Sequence, residues 1–266
     1  MIRCAIVLIH NGDLQRVTSA RRVIEAIRVD LDASEISTES FEIHQQPEVK
    51  AISRTELCKL TILESMLQIN YFRNYLALSP KYWLPYVGAI FRSVLAPFSS
   101  SRERRKRNIE SIITGKHFQS WQICRNFDFL MVFEDDVIQT GPLDELVQTA
   151  RDIATLDKSI PTYIDLAGGY PQDKVINKSR VSSNLEIGKL FTNTACGYVI
   201  NGRLADDLVA FYRSNPLVSN LGIDFFLNAA FSSSRTKLGF CLHLEKSGLS
   251  HGSFTGVFRS WTEQAD

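Results

Sequence analysis

The sequence predicts an α/β chain: one domain, spanning residues 1 to 266, with a mixed, mostly parallel sheet flanked by helices. Three stretches carry that expectation. Phe129-Leu130-Met131-Val132-Phe133 is an unbroken apolar run, the composition of a strand buried on both faces beneath helices. Cys4 to Ile9 has the same character and is followed by a turn and a helix-period segment. Thr162 to Leu166 is a third such run, followed by Gly168-Gly169, where backbone can approach a ligand closely.

In chain order, the first strand breaks at His10-Asn11-Gly12-Asp13, a tetrad suited to a turn and to capping a helix. Leu14 to Val29 follows as a helix with Val17, Ile24 and Ile27 toward the sheet. Strand, turn and helix open a nucleotide-binding layer, although no G-x-G-x-x-G is present. Asn11 and Arg16 are the candidate donor contacts in it. Arg16, Arg21 and Arg22 can face a diphosphate or simply stand solvated.

A short second strand is expected at Phe41 to His44, and a long helix over 54 to 78, which has neither Pro nor Gly. Tyr82 to Phe98 is apolar and aromatic, interrupted by Pro85, Gly88 and Arg92, and too short to cross a bilayer. The basic run Arg102 to Arg107 comes directly after it. Residues 45 to 108 therefore read as a helical insertion, and its aromatic and basic ends fit a segment held at an anionic membrane surface through Arg102 to Arg107. The other reading is a helical pair packed on the core with a solvated basic turn.

Asn108 to Asn126 resumes a helical period, with Ile109, Ile113, His117, Trp121 and Cys124 on one face and His117 expected as a satisfied core histidine. The central strand then ends in Glu134-Asp135-Asp136. Residues i and i+2 of a strand share a side, so Glu134 and Asp136 can aim at one point while Asp135 faces away or bends back. Paired oxygens suit a hard divalent cation, Mn2+ or Mg2+, which shares its shell with substrate phosphates. Acids after a strand can instead cap the next helix. Here Gly141-Pro142, with Asp144 and Glu145 behind, starts that helix on its own and carries it to about Asp157.

Residues 171 to 188 are polar and read as a loop over the site. Ala195 to Ile200 is a strand, Asn201 a helix cap, and Leu204 to Tyr212 a helix. Asp224 stands in the first turn of another helix among Phe225, Phe226 and Leu227. There it is either a dipole-favoured acid or, with its pKa raised by desolvation, a general base. Leu238 to Leu244 is the last strand. His251, beside Gly252 in what reads as a flexible tail, can close the metal site with Glu134 and Asp136 or lie on the surface.

Composition narrows the partners. A formal net charge of +1 gives no support to nucleic acid as a bulk partner. The five cysteines are dispersed and contain no C-x-x-C, which points to reduced, mostly buried thiols in a cytosolic setting rather than a zinc cluster. The N-terminal apolar run is short for a signal peptide and lacks a small-residue cleavage site. A cytoplasmic protein, peripheral on the inner face of the membrane, is the expected location.

Taken together, His117-Phe118-Gln119-Ser120-Trp121-Gln122, Leu130 to Val137, Tyr163-Ile164-Asp165-Leu166, Thr194 to Asn201 and Asp224-Phe225-Phe226-Leu227 resemble, in this order, glycosyltransferase family 25. That family includes lipooligosaccharide and collagen galactosyltransferases. The resemblance covers about residues 110 to 255. Lys116 stands where a serine usually precedes the histidine, and 45 to 108 has no counterpart. The resemblance implies a GT-A fold, a nucleotide-sugar donor such as UDP-galactose, a divalent metal such as Mn2+, and inversion at the transferred carbon. By position, Glu134, Asp135 and Asp136 would form the metal and donor site and Asp224 the base. The implied acceptor is a cell-surface glycan or glycolipid such as lipopolysaccharide, lipooligosaccharide or capsule. Two other readings share the residues: nucleotidyl or phosphoryl transfer, and a non-catalytic membrane-associated subunit with a decayed transferase fold.

Overall fold

Alternation along the two central strands decides the architecture. In β1 (Ile2–Ile9), Cys4, Ile6 and Leu8 point to one face and Ala5, Val7 and Ile9 to the other, and every one of them is buried. A strand with no polar face needs helices on both sides. In this computed structural model, which describes residues 2–44, 48–76, 83–155, 157–167, 179–180, 185–187, 195–233, 240–244, 248–253 and 255–258, that is what surrounds it. The chain is a mixed α/β protein.

The helices α1 (Leu14–Asp32) and α5 (Asp144–Thr155) cover one face. The other is covered by α4 (Ser101–Ile123), α6 (Gly202–Ser214) and α7 (Ile223–Ser232). Between the layers lie β2 (Ile36–Ile43), β3 (Phe129–Glu134), β5 (Thr162–Asp165), β6 (Ser179–Arg180), β7 (Leu185–Ile187), β8 (Gly197–Asn201) and β9 (Phe240–Leu244), hydrogen-bonded with β1 in the order β2-β1-β3-β8-β5-β9-β7-β6. The strands β2, β1, β3, β5 and β9 run one way, and β8 runs against them between β3 and β5. A separate antiparallel pair joins β4 (Val137–Gln139) to β10 (Leu249–His251).

Several boundaries differ from the expectation. The second strand is Ile36–Ile43 rather than Phe41 to His44, because an edge strand keeps its outer residues polar and is held through backbone pairing with β1 along its whole length. The basic run is not a turn. It forms the first two turns of α4, launched by a capping box in which Ser100 accepts from the Glu103 N–H and Glu103 accepts from the Ser100 N–H. Within the 171 to 188 loop, β6 and β7 are regular strands. The rest of that loop, and the pair Gly168-Gly169, lie outside the described residues. Asn201 caps α6 as expected, accepting from the Leu204 N–H at 3.0 Å.

The stretch expected as a helical insertion contains a helical hairpin of α2 (Arg54–Leu76) and α3 (Trp83–Leu95), joined internally by Ser65 Oγ donating to the Ala89 carbonyl at 2.8 Å. It is tied to α4 by Arg104, which donates to the Ile52 carbonyl, and by Arg107, which forms ion pairs with Glu64 and Glu110. Among the described residues no helix is long and apolar enough to cross a membrane.

Glu64 and Arg107 are both largely buried, and burial pushes the Glu64 carboxyl up while Arg107 pulls it back. Arg107→Met strands a buried carboxylate and is expected to lower the unfolding free energy by about 2 to 4 kcal/mol. Urea titrations should show Glu64→Gln combined with Arg107→Met recovering part of that loss.

Candidate functional site

Between β1 and β3 the chain changes direction. β1 leads through α1 to β2 on one side, while β3 lies parallel on the other. In an open α/β sheet the loops at such a point part to opposite sides and leave a crevice beyond the carboxyl ends of the strands. The register sets Ile9 opposite Glu134, so His10-Asn11-Gly12-Asp13 meets Glu134-Asp135-Asp136 there. Local chemistry builds the first loop: Gly12 takes φ 89°, and Asp13 caps α1 by accepting from the Gln15 and Arg16 N–H groups.

Arg16 neither faces solvent nor stands clear for a phosphate. It is buried, with Nη2 2.5 Å from Asp135 Oδ1 and 3.4 Å from Asp136 Oδ2. The Asn11 N–H donates to Asp135 Oδ2 at 3.2 Å. Of the two orientations left open for Asp135, it therefore takes the inward one. Burial pushes its carboxyl up to about 7 despite the guanidinium beside it.

Asp136 is the hub of a second group. Its Oδ2 accepts from Ser253 Oγ at 2.9 Å and lies 3.3 Å from His251 Nδ1, while its Oδ1 accepts from the Cys196 thiol at 3.3 Å. His251 is not in a flexible tail. It ends β10, paired with Val137 of β4, and the Ser253 N–H donates to its Nδ1. The next residue must be glycine, because a Cβ on Gly252 would lie 2.8 Å from the Asp136 carbonyl, to which the Gly252 N–H donates. Ligand atoms of Asp136, Cys196 and His251 all fall within 4.8 Å of one another. This is a possible metal-binding triad. Carboxylate oxygen and imidazole nitrogen suit a divalent cation such as Mn2+. The thiol is held protonated by burial and by Asp136, and Arg16 shares Asp136, so both compete with a bound ion.

Glu134 makes a different contact. Its Oε1 is 3.0 Å from His117 Nε2, and His117 Nδ1 is 2.8 Å from Tyr198 Oη, which also accepts from Trp121 Nε1. Burial and the neighbouring Lys116 push His117 down to about 3, so the ring is neutral. With Glu134 ionised, the Nε2–H donates to it and Nδ1 accepts from the tyrosine hydroxyl. His117 is satisfied, as expected, but through a carboxylate of the site. Burial, then the Asp136 charge, raises Glu134 to about 7. Lys116 is buried beside this group and donates to the His10 carbonyl at 2.6 Å. Burial lowers its ammonium to about 8 although Asp135 and Glu134 oppose the shift.

Asp224 belongs to the same field. Its Oδ1 is buried with no hydrogen-bond partner among the described residues. Burial, then the charges of Glu134, Asp165 and Glu110, raise it to about 7, against a hydrogen bond from the Ala195 N–H. The predicted acids, Asn11, Arg16 and His251 thus gather at the end of β1 and β3, and Asp224 feels the charge of Glu134. Lys116, Cys196, Tyr198 and Ser253 carry no site role in the sequence reading, where Lys116 stands out only as a departure from the resemblance. A buried lysine carries no local signal, and Cys196 read as an inert thiol. Its buried, reduced state matches that reading, as do Cys4 and Cys124.

No family model matches the chain, and no curated protein matches it either.

A carboxyl that holds its proton more tightly folded than unfolded stabilises the fold fully below its unfolded value, about 4, and loses that contribution as pH rises through its folded value. For Asp224 the folded value is about 7. Without divalent cations, the urea midpoint should fall between pH 5 and pH 8. Asp224→Asn should fall less over the same range.

Proposed function

We propose that the chain is a metal-dependent glycosyltransferase of the family 25 type, moving galactose from UDP-galactose to a glycan or glycolipid acceptor with inversion, on a GT-A version of its α/β fold. One observation carries the reading: the acid triplet meets the turn after β1 at the β1/β3 switch point, and the charge of Glu134 is felt at Asp224. The sequence resemblance supplies the reaction class.

In this reading Asp136 and His251 hold Mn2+ or Mg2+, with Glu134 adjacent. The ion's chemistry is to offset charge on the diphosphate as its bond to the sugar breaks. Asn11 and Arg16 keep Asp135 and Asp136 oriented toward the donor. Asp224 removes the acceptor's proton: the hydroxyl oxygen bonds to the anomeric carbon, the bond from that carbon to the diphosphate oxygen breaks on the opposite face, and the proton goes to Oδ1, the atom without a partner. A value of about 7 suits a base working near neutrality.

Turnover is therefore expected to rise with pH through about 7. Asp224→Asn should cut turnover by about 10²- to 10⁴-fold while calorimetry with UDP and Mn2+ shows unchanged binding; full activity in that variant discards the assignment. Asp136→Ala should abolish metal-dependent turnover. Product analysis with labelled UDP-galactose decides the reaction class: sugar on the acceptor with UDP released supports glycosyl transfer, and nucleotide retained on the acceptor rejects it.

A further inference from the structure

The helix α3 is inside out. Its small residues Ala89 and Ser93, with Ala96 just after it, turn toward the protein, where Ser93 Oγ donates to Ser65 Oγ of α2 at 2.7 Å and Ala89 and Ala96 are buried. Its large residues point the other way. Val87, Ile90, Phe91, Val94 and Leu95 recur at steps of three, one, three and one, the spacing of a single helical face, and all are exposed. Phe98, in the short 3-10 turn after α3, is 84% exposed. On α2, Ile62 and Met66, one turn apart, are exposed as well. Single exposed apolar residues are ordinary, but a contiguous face of this kind marks an interaction surface.

What the face meets is argued from the charge that follows it. The first turns of α4 divide their cations between two sides. Arg104 and Arg107 point inward to the Ile52 carbonyl and to Glu64 and Glu110, so they are committed to the fold. Arg102, Arg105 and Lys106, at steps of three and one, lie on the opposite side and are exposed. The one acid among them, Glu103, is engaged in the capping box. Aromatic and aliphatic side chains followed within a few residues by a cationic helix face match a bilayer with anionic headgroups, whose acyl boundary takes the apolar residues and whose phosphates take the cations.

We propose that the outward face of α3, with Phe98 and the cations Arg105 and Lys106, docks this protein on an anionic lipid bilayer without crossing it. The surface is independent of the reaction assigned to the crevice, and its test reads binding alone.

The full chain is floated with vesicles of phosphatidylcholine and with vesicles containing 30% phosphatidylglycerol. Binding is expected to the anionic vesicles only and to weaken with added salt. Arg105→Ala with Lys106→Ala should weaken it roughly tenfold or more, and Phe91→Ser with Phe98→Ser should remove it. These side chains are exposed, so thermal unfolding followed by circular dichroism should stay unchanged in both variants. Three outcomes overturn the proposal: no flotation with anionic vesicles, equal flotation with neutral ones, or binding indifferent to both double variants. Sedimentation equilibrium without lipid gives a fourth. A dimer dispersed by Phe91→Ser with Phe98→Ser, alongside absent flotation, assigns the face to a second copy of the chain.

Discussion

Everything at the functional end of this protein depends on how Glu134, Asp135 and Asp136 are kept at the rim of a dry sheet. Three neighbouring carboxylates in a poorly hydrated place repel one another, and taking a charge out of water is costly unless it is paired and hydrogen-bonded. The fold meets this in three ways. Arg16 lies between Asp135 and Asp136, protein donors occupy oxygens of each acid, and Glu134 and Asp135 retain protons to near neutrality. The cluster still carries more acid than Arg16 and Lys116 balance, and Asp224 adds to it. Such a place attracts a further cation when its carboxyls ionise.

The sheet's topology brings these groups together, and α4 sets what surrounds them. This helix has 23 residues, a length of about 35 Å. Its last half lies under β3 and β8, where His117 reaches Glu134, Lys116 donates to the His10 carbonyl beside the acids, and Trp121 holds Tyr198. Its first half holds the α2–α3 hairpin through Arg104 and Arg107. One helix therefore links the acid cluster to the exposed apolar face, so the α2–α3 hairpin is built onto the support of the candidate site.

Much of this was readable one residue at a time. Buried strands announce themselves by unbroken apolar runs, and β1, β3 and β5 fall where those runs are. The Asn201 cap follows from a local rule that needs no partner, whereas α5 begins at Asp144 rather than at Pro142. Edge strand β2 looks short in the sequence because its solvent side is polar and its stability comes from pairing with β1. The start of α4 is masked by a run of arginines that obscures the Ser100–Glu103 capping signal.

The class of fold, the positions of the central strands and the acids at the end of one of them can be read along the chain, since these depend on burial periodicity and on neighbours a few residues apart. Which charges meet is a matter of how the folded layers lie against one another. Arg16 and Asp135 are more than a hundred residues apart, and so are Asp136 and Ser253; His251 gained its place from a two-strand pairing, and α3 showed which face it turns outward only against α2. Contacts of that kind arise from how layers stack, and layer stacking is set by the sum of many apolar contacts rather than by any motif the chain carries locally.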